Sequence, residues 1–124
     1  MTAFLKNIHP VLPVKNVTEA LDYYIQRLGF TLAFKDIGSD PKYAGIKRDA
    51  IEIHLQWHDD IEWENGLDRP LLRIYVDAVD DLFESFKNQA VFHEHTALRD
   101  TAWGTREFGF YDIAGNGLIF YRDL

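Results

Sequence analysis

The first half of the sequence opens with a short apolar segment and continues with apolar positions at helical spacing. Residues 9–14 read His-Pro-Val-Leu-Pro-Val, a run too short for a helix, with prolines that suit the end or edge of a sheet, so we predict a strand. Apolar side chains then recur at i, i+3, i+4 and i+7, as in a helix with one buried face: Leu21, Tyr24, Ile25 and Leu28. We expect Asn16 or Thr18 to cap this helix and Gly29 to end it in a left-handed conformation.

Three extended segments follow the helix, at residues 30–35, 43–47 and 51–57. In the last of them, apolar positions alternate with polar ones: Ile51, Ile53 and Leu55 against Glu52, His54 and Gln56. A period of two is typical of a strand with one buried face. The first half is therefore predicted to be β-α-β-β-β.

The same pattern returns 62 positions later. A strand is predicted at residues 72–76, followed by a second helical set: Val79, Leu82, Phe83 and Phe86. Five apolar positions match at this offset: Val14 with Val76, Val17 with Val79, Leu21 with Phe83, Tyr24 with Phe86, and Phe30 with Phe92. Extended segments at 91–95, 106–111 and 117–121, with a turn at 112–117, complete the second half. We infer a duplicated β-α-β-β-β module and an α+β fold.

A polar segment separates the two modules. Residues 57–70 carry five acidic side chains, an Asn-Gly pair and a proline, a composition typical of a linker. A chain of 124 residues can bury one sizeable core, so we predict a single domain over residues 1–124. We place module 1 at about 4–58, the linker at about 59–70 and module 2 at about 71–124.

Composition narrows the functions open to this chain. Twenty acidic against 13 basic residues give a formal charge of −7, the wrong sign for nucleic acid or an anionic membrane, and this favours neutral or cationic small ligands. The absence of cysteine excludes disulfides, thiolate metal sites and a thiol nucleophile. Neither Ser39 nor Ser85 has the setting of a nucleophile, so we predict no catalytic residue. No apolar run could span a bilayer and no secretory signal is evident, so we expect a cytoplasmic location.

Several motifs together resemble one known family. They are a His-x-x-Leu-x-Val strand from His9, Arg-Leu-Gly-Phe at 27–30, Tyr-Ala-Gly-Ile-Lys-Arg-Asp at 43–49, Trp-Gly-Thr-Arg-Glu-Phe at 103–108, and Asp-x-x-Gly-Asn at 112–116. In this order they are similar to the glyoxalase/bleomycin resistance/dioxygenase (vicinal oxygen chelate) superfamily, and most of all to its bleomycin resistance proteins. The resemblance implies two βαβββ modules that curl mixed sheets around a concave pocket. It also implies a homodimer with pockets between the subunits.

Metal-dependent members of that superfamily hold a divalent ion with His and Glu side chains from facing strands. His9 stands at the position of the first-strand histidine, but the corresponding position in the repeat is Leu71, and the position of the family's C-terminal glutamate is Ile119. Neither apolar side chain can coordinate a metal. We therefore predict no cofactor and no metal, with His9 as a weak candidate ligand, and lean against an enzyme.

The sequence allows more than one role for the other histidines. His54 lies on the polar face of its strand and could contact a ligand or a metal ion. His93 and His95 share one face of a predicted strand, a spacing compatible with a surface metal site, although a solvated strand edge is the commoner arrangement.

The resemblance to resistance proteins implies a pocket whose aromatic side chains stack on a planar drug. Trp103 and Tyr43 stand at the matching positions, and we add His54, Trp63 and Asp60 as candidate ligand-binding residues. We predict non-catalytic sequestration of a planar, cationic small molecule, with bleomycin-type antibiotics as the named candidate. The alternatives are a metal-dependent lyase, isomerase or dioxygenase of the superfamily, and a sensing or structural module whose pocket is closed by Trp63 or Trp103.

Overall fold

Two four-stranded sheets, each with a helix on one side, make up the chain in a computed structural model that describes residues 2–124. The first half contains β1 Val11–Val14, α1 Val17–Leu28, β2 Thr31–Lys35, β3 Tyr43–Arg48 and β4 Ile51–Trp57. A short helix, α2 Asp60–Glu64, follows. The second half contains β5 Leu71–Tyr75, α3 Val79–Phe86, β6 Arg99–Asp100, β7 Thr105–Tyr111 and β8 Gly117–Asp123. Within residues 2–124, no helix is both long and apolar enough to cross a membrane.

Both halves have the same sheet topology, which confirms the predicted α+β duplication. The strand orders are β1-β4-β3-β2 and β5-β8-β7-β6, with the first strand of each half parallel to the last. In one sheet Val11 pairs with His54. In the other, Arg73, which lies 62 positions after Val11, pairs with Ile119, which lies 65 positions after His54, so the last strand of the second half is displaced by three positions from the sequence repeat. Within residues 2–124, no strand pairing joins the two sheets, and each sheet leaves the side away from its helix open.

The first helix begins and ends where its sequence predicts. The Asn16 side chain accepts a hydrogen bond from the backbone N–H of Glu19, which satisfies one of the free donors of the first turn. Gly29 ends the helix at φ 75°, in the left-handed region that glycine enters without steric cost. The apolar stripe of α1 packs on the first sheet, and side chains from both halves join one core.

Two sequence predictions need correction. The linker contains α2, whose first turn is held by a capping box between Asp59 and Glu62. Residues 91–95 do not form a strand, and the two-residue β6 pairs with β7 instead. Local hydrogen bonds explain the second difference, since the His93 backbone N–H donates to Thr96 Oγ1 and the Thr96 N–H donates to the His93 carbonyl.

A buried polar network connects the two halves. The Tyr24 hydroxyl on α1 donates to Asp112 Oδ2 across 2.6 Å, and Asn116 Nδ2 donates to the Pro13 carbonyl of β1 across 3.0 Å. Asp112 Oδ1 accepts from the backbone N–H groups of Ala114 and Asn116, so one carboxylate orders the β7–β8 turn and holds α1. A buried network of this kind fixes one arrangement of the modules.

We expect the free energy of unfolding to fall as the pH rises above 10. Burial, followed by the Asp112 charge, raises the pKa of Tyr24 well above 10.0, and burial also raises that of Tyr23. Above pH 10 the unfolded chain therefore loses protons that the folded chain keeps. Each such tyrosine removes about 1.4 kcal/mol per pH unit. Urea unfolding from about pH 9 to about pH 11 measures this slope, which should be smaller in Tyr24→Phe; equal slopes would contradict the expectation.

Candidate functional site

The side of each sheet that faces away from its helix carries the polar and aromatic side chains. In β4, Ile53 and Leu55 are buried in the core, and the alternation along the strand places Glu52 and His54 on the opposite surface. The same alternation in β7 buries Phe108 and Phe110 and places other side chains on the open surface of the second sheet. We call these surfaces the first and second concave faces.

An aromatic group lies on the first concave face. The Tyr43 hydroxyl is 2.8 Å from His54 Nδ1. The Phe34 ring stacks on Tyr43 with a centroid distance of 6.1 Å and is nearly perpendicular to the His54 ring at 5.1 Å. Gly45 lies under the Phe34 ring, where a Cβ atom would come within 2.3 Å of that ring. The glycine is therefore what allows Phe34 to lie flat on the sheet.

A His-Glu-His cluster adjoins this aromatic group. His54 Nε2 is 2.7 Å and His9 Nε2 is 3.8 Å from Glu52 Oε2, and the two imidazole rings stack at 4.7 Å. The hydrogen bond from His54, with a smaller contribution from the charge of His9, holds the pKa of Glu52 below its usual range. This corner of the face thus combines a carboxylate with two imidazoles, all half-buried.

The second concave face carries an ion pair in the middle of its sheet. Arg73 Nη2 lies 3.3 Å from Glu107 Oε2, and the Thr105 hydroxyl donates to the same oxygen across 2.8 Å. The guanidinium of Arg73 also stacks over the Tyr121 ring at 4.3 Å. Gly109 pairs with Ile119 here as Gly45 pairs with His54 in the first sheet, so both faces have a glycine at the corresponding position.

Two clefts adjoin these faces. One, of about 590 Å³, runs between the first face and strand β5 and is lined by His9, Glu52, Leu71, Arg73 and Tyr75 among others. The second, of about 450 Å³, lies on the second face, with Glu107, Gly109, Tyr111 and Ile119 in its lining. Both volumes exceed the roughly 300 Å³ at the lower end of small-molecule sites, which argues against a collapsed pocket.

The structure brings together only two of the five predicted ligand-binding residues, Tyr43 and His54. Trp103 projects from the turn between β6 and β7 with 70% of its surface exposed. Trp63 and Asp60 both lie on α2, where the Trp63 indole N–H donates to the His58 carbonyl and Asp60 is exposed. Among residues 2–124, no hydrogen bond or ring contact connects these three to the Tyr43–His54 pair. Their ligand-binding roles stay predictions.

The residues considered as metal ligands lie in different surroundings in the structure. Leu71 and Ile119 line a cleft, but their side chains offer no ligand atom. His93 contacts the end of β7, where its Nε2 accepts from the Tyr111 backbone N–H at 3.0 Å, and it forms no ligand cluster with His95 within residues 2–124. His9 does lie in such a cluster, with Glu52 and His54.

Sequence reasoning missed four residues of these faces: Phe34, Glu52, Arg73 and Glu107. The sequence does indicate Glu52, because it precedes His54 by two residues and lies on the same side of the strand. No sequence pattern indicates Glu107 and Arg73, since their contact depends on the register between strands that are distant in sequence. Phe34 follows a register shift in β2 that cannot be predicted from the sequence pattern.

Comparisons with known proteins agree with this architecture. The family model described as the Glyoxalase/Bleomycin resistance protein/Dioxygenase superfamily matches residues 7–120. A bleomycin resistance protein of Geobacillus stearothermophilus is 27% identical over 129 aligned positions, covering 93% of this chain and 95% of that protein.

Solved structures give the same result. The bleomycin-binding protein of the bleomycin producer Streptomyces verticillus, solved with copper(II)-bleomycin, superimposes with a TM-score of 0.75 at 25% identity and 97% coverage of both chains. A bleomycin resistance determinant encoded on the transposon TN5 shares the fold, with a TM-score of 0.76 at 18% identity, covering 96% of this chain and 98% of that one.

Proposed function

The chain belongs to the Glyoxalase/Bleomycin resistance protein/Dioxygenase superfamily, and from this membership we propose that it binds and sequesters a planar, cationic small molecule. Bleomycin-type antibiotics are the named candidate, because the bleomycin resistance protein of Geobacillus stearothermophilus and the bleomycin-binding protein of Streptomyces verticillus match nearly the whole chain. The observation that carries the proposal is the aromatic group of Phe34, Tyr43 and His54 on an open concave face.

The two faces offer the contacts that such a ligand needs. The rings of the first face supply flat surfaces for stacking, and Glu52 beside them supplies a negative charge for a cationic group. The formal charge of −7 favours the approach of a cation over long range. Binding to these surfaces needs no bond to be made or broken.

The metal-dependent enzyme is the weaker candidate. The superfamily enzymes place their ion between facing strands of two modules, and here Leu71 and Ile119 occupy two of those positions. A lyase, isomerase or dioxygenase that works in the usual way would need donors at both. The identities of these two side chains, visible in the sequence, therefore weigh against that chemistry.

We propose that the protein acts as a homodimer. Each concave face is open, so a ligand lying on one face of a single chain keeps its other side in water, and a second copy could cover it. Apolar side chains that one chain leaves in solvent support this assembly: Phe4, Leu5 and Ile8 in the segment before β1, and Leu71 and Tyr75 on strand β5. The ligand site then combines faces of two subunits.

Titration with metal-free bleomycin tests the proposed function. We expect saturation at one ligand per chain with micromolar or tighter affinity, measured by calorimetry, and a change in tryptophan emission. Trp103→Phe and Tyr43→Phe should each weaken binding about tenfold if their aromatic and hydroxyl groups contact the drug.

Trp57→Phe is the matched control for these variants. Trp57 ends β4 on the side of the buried Leu55, so its ring lies off the concave face, where Lys42 stacks on it at 4.0 Å. The affinity of the Trp57→Phe variant for the drug should equal that of the unmodified chain. An absence of heat and of emission change well above micromolar drug would exclude bleomycin as the ligand.

A further inference from the structure

We propose that the cleft between the β3–β4 turn and helix α3 is a second binding site, for a small organic carboxylate with an apolar, ring-bearing body. The cleft has a volume of about 540 Å³ and adjoins the cleft of about 590 Å³, with residues 49–51 and 74–75 lining both. The three rings that we propose to stack on an antibiotic, Phe34, Tyr43 and His54, do not line it. The proposal therefore goes beyond the sequestration of a drug.

The registers of the two sheets show which place in the second module corresponds to this cleft. Gly45 and Gly109 hold corresponding positions in β3 and β7. Three residues further along each strand, where the hairpin turns begin, Arg48 in the first module takes the place of Asp112 in the second. Each of these two side chains faces the helix of the other module.

The two corresponding places are filled differently. Asp112 is buried, and its carboxylate accepts a hydrogen bond from the Tyr24 hydroxyl of α1. In the other place Phe86 of α3, the counterpart of Tyr24 in the repeat, lies 6.0 Å from the Arg48 guanidinium. A buried carboxylate closes the first of these junctions, whereas the second is left as the cleft. The second module thus shows which chemical group fits such a place.

The Arg48 guanidinium keeps donors for a ligand. Among residues 2–124, Arg48 is the one basic residue that lines the cleft, and its one hydrogen bond runs from Nη1 to the Leu28 carbonyl at 2.7 Å. That bond fixes the guanidinium at the end of α1. Its remaining N–H groups can donate to a carboxylate, whose two oxygens match the planar donor pair of arginine.

Two acidic residues also line the cleft, but neither occupies the guanidinium. The Asp49 side chain is 91% exposed, and its Oδ2 lies 3.8 Å from Arg48 Nε, so water screens this ion pair. Asp77 Oδ1 accepts from the Ala78 backbone N–H across 2.8 Å. The formal charge of −7 opposes an anion over long range, so we expect a submillimolar affinity and not a nanomolar one.

The rest of the lining selects an apolar body for the ligand. Leu82 and Phe86 of α3 and Phe120 of β8 are buried and form the floor, while Tyr75 is exposed at the rim. Flat rings gain both apolar burial and ring–ring contacts on such a surface. A volume above the roughly 300 Å³ at the lower end of small-molecule sites accommodates a molecule with one ring and a short acid side chain.

The test titrates isotope-labelled full-length protein with cinnamate, in the absence of antibiotic, and follows the backbone amide and arginine side-chain signals by NMR. We expect saturable shifts confined to the residues around the cleft, and a rise in melting temperature with cinnamate. Cinnamamide has the same shape without the charge and should bind at least about tenfold more weakly. Arg48→Gln should weaken the binding of cinnamate by a similar factor, and Arg48→Lys, which keeps the charge, by less.

Arg27→Gln is the matched control. Arg27 Nη1 also donates to a backbone carbonyl, that of Ala90 at 3.2 Å, and its guanidinium lies 5.8 Å from the Tyr23 ring. This variant makes the same change in similar surroundings outside the cleft, so its affinity for cinnamate should be unchanged.

Three results would overturn the proposal: shifts centred outside the cleft or no saturable shifts, equal binding of cinnamate and cinnamamide, and equal binding by Arg48→Gln and the unmodified chain. If Arg48→Gln does not fold, the comparison of cinnamate with cinnamamide on the unmodified chain decides. Because no antibiotic is present, the outcome is independent of the drug titration.

Discussion

Replacing Asp112 with alanine is expected to lower the free energy of unfolding by about 3–5 kcal/mol. The carboxylate accepts hydrogen bonds from the Tyr24 hydroxyl, from two backbone N–H groups and from the Asn116 side chain. Alanine leaves these buried donors without an acceptor, at a cost of about 1–3 kcal/mol for each one that water cannot reach. Urea unfolding monitored by circular dichroism gives the change.

Two further variants show which interactions account for the loss of stability in Asp112→Ala. Tyr24→Phe removes only the hydrogen bond from Tyr24 to Asp112, keeps the one from Asn116 to Pro13, and should cost about 1–2 kcal/mol, less than Asp112→Ala. Asp123→Ala removes an exposed carboxylate at the end of β8 and should change stability by less than about 0.5 kcal/mol. If Asp112→Ala were no more damaging than Asp123→Ala, the network would not be what holds the modules together.

The second large effect, a loss of dimerisation and of drug affinity, is expected from substitutions in the segment before β1. Changing Phe4, Leu5 and Ile8 to serine should convert the proposed dimer into a monomer and weaken drug binding about a hundredfold. These side chains are largely in solvent in a single chain, so their substitution removes little intramolecular packing but does remove apolar area that a second subunit could bury. Sedimentation velocity gives the oligomeric state, and calorimetry with metal-free bleomycin gives the affinity.

The control for this variant is the pair Ile37→Ser and Ile61→Ser. Both isoleucines are exposed, one in the loop after β2 and the other on α2, so the control makes a similar change in surface hydrophobicity elsewhere. We expect it to leave the dimer and the affinity unchanged. A serine-substituted chain that still sediments as a dimer would refute a role for this segment, and a monomer with full affinity would refute a shared site.

The sequence predicts most of the fold because its strongest patterns are local. The spacing of Leu21, Tyr24 and Leu28, with Asn16 and Gly29 at the ends, is sufficient to place α1. The spacing of Asp59 and Glu62 is that of a capping box and indicates the start of the short helix α2, although the acidic composition of the segment favours a linker. The prediction of a strand at 91–95 is wrong because a side chain there forms hydrogen bonds with the local backbone. The pattern of hydrophobic positions does not show such local hydrogen bonds.

The candidate site is harder to predict because it is assembled across strands. The pairing of Tyr43 with His54 follows from two strands that are neighbours in sequence, so the prediction of both residues was within reach. Glu107 and Arg73 meet through β8, which lies between their strands, and no local pattern shows that contact. Only the family resemblance indicates Trp103 as a ligand-binding residue. Its side chain is exposed in a turn, so any contact that it makes with a ligand depends on the proposed dimer.

Matching glycines on the two faces give the fold a simple route to new ligands. Gly45 leaves space for the Phe34 ring, and Gly109 leaves space for the Leu118 carbonyl oxygen and the Ile119 side chain, whose nearest atoms would lie 2.9 and 3.1 Å from an added Cβ. Because both covering side chains stand on the surface and not in the core, exchanging either one changes the depth of a half-site at little cost to folding. Duplicated modules can therefore diverge in specificity through two positions, while the scaffold beneath them stays the same.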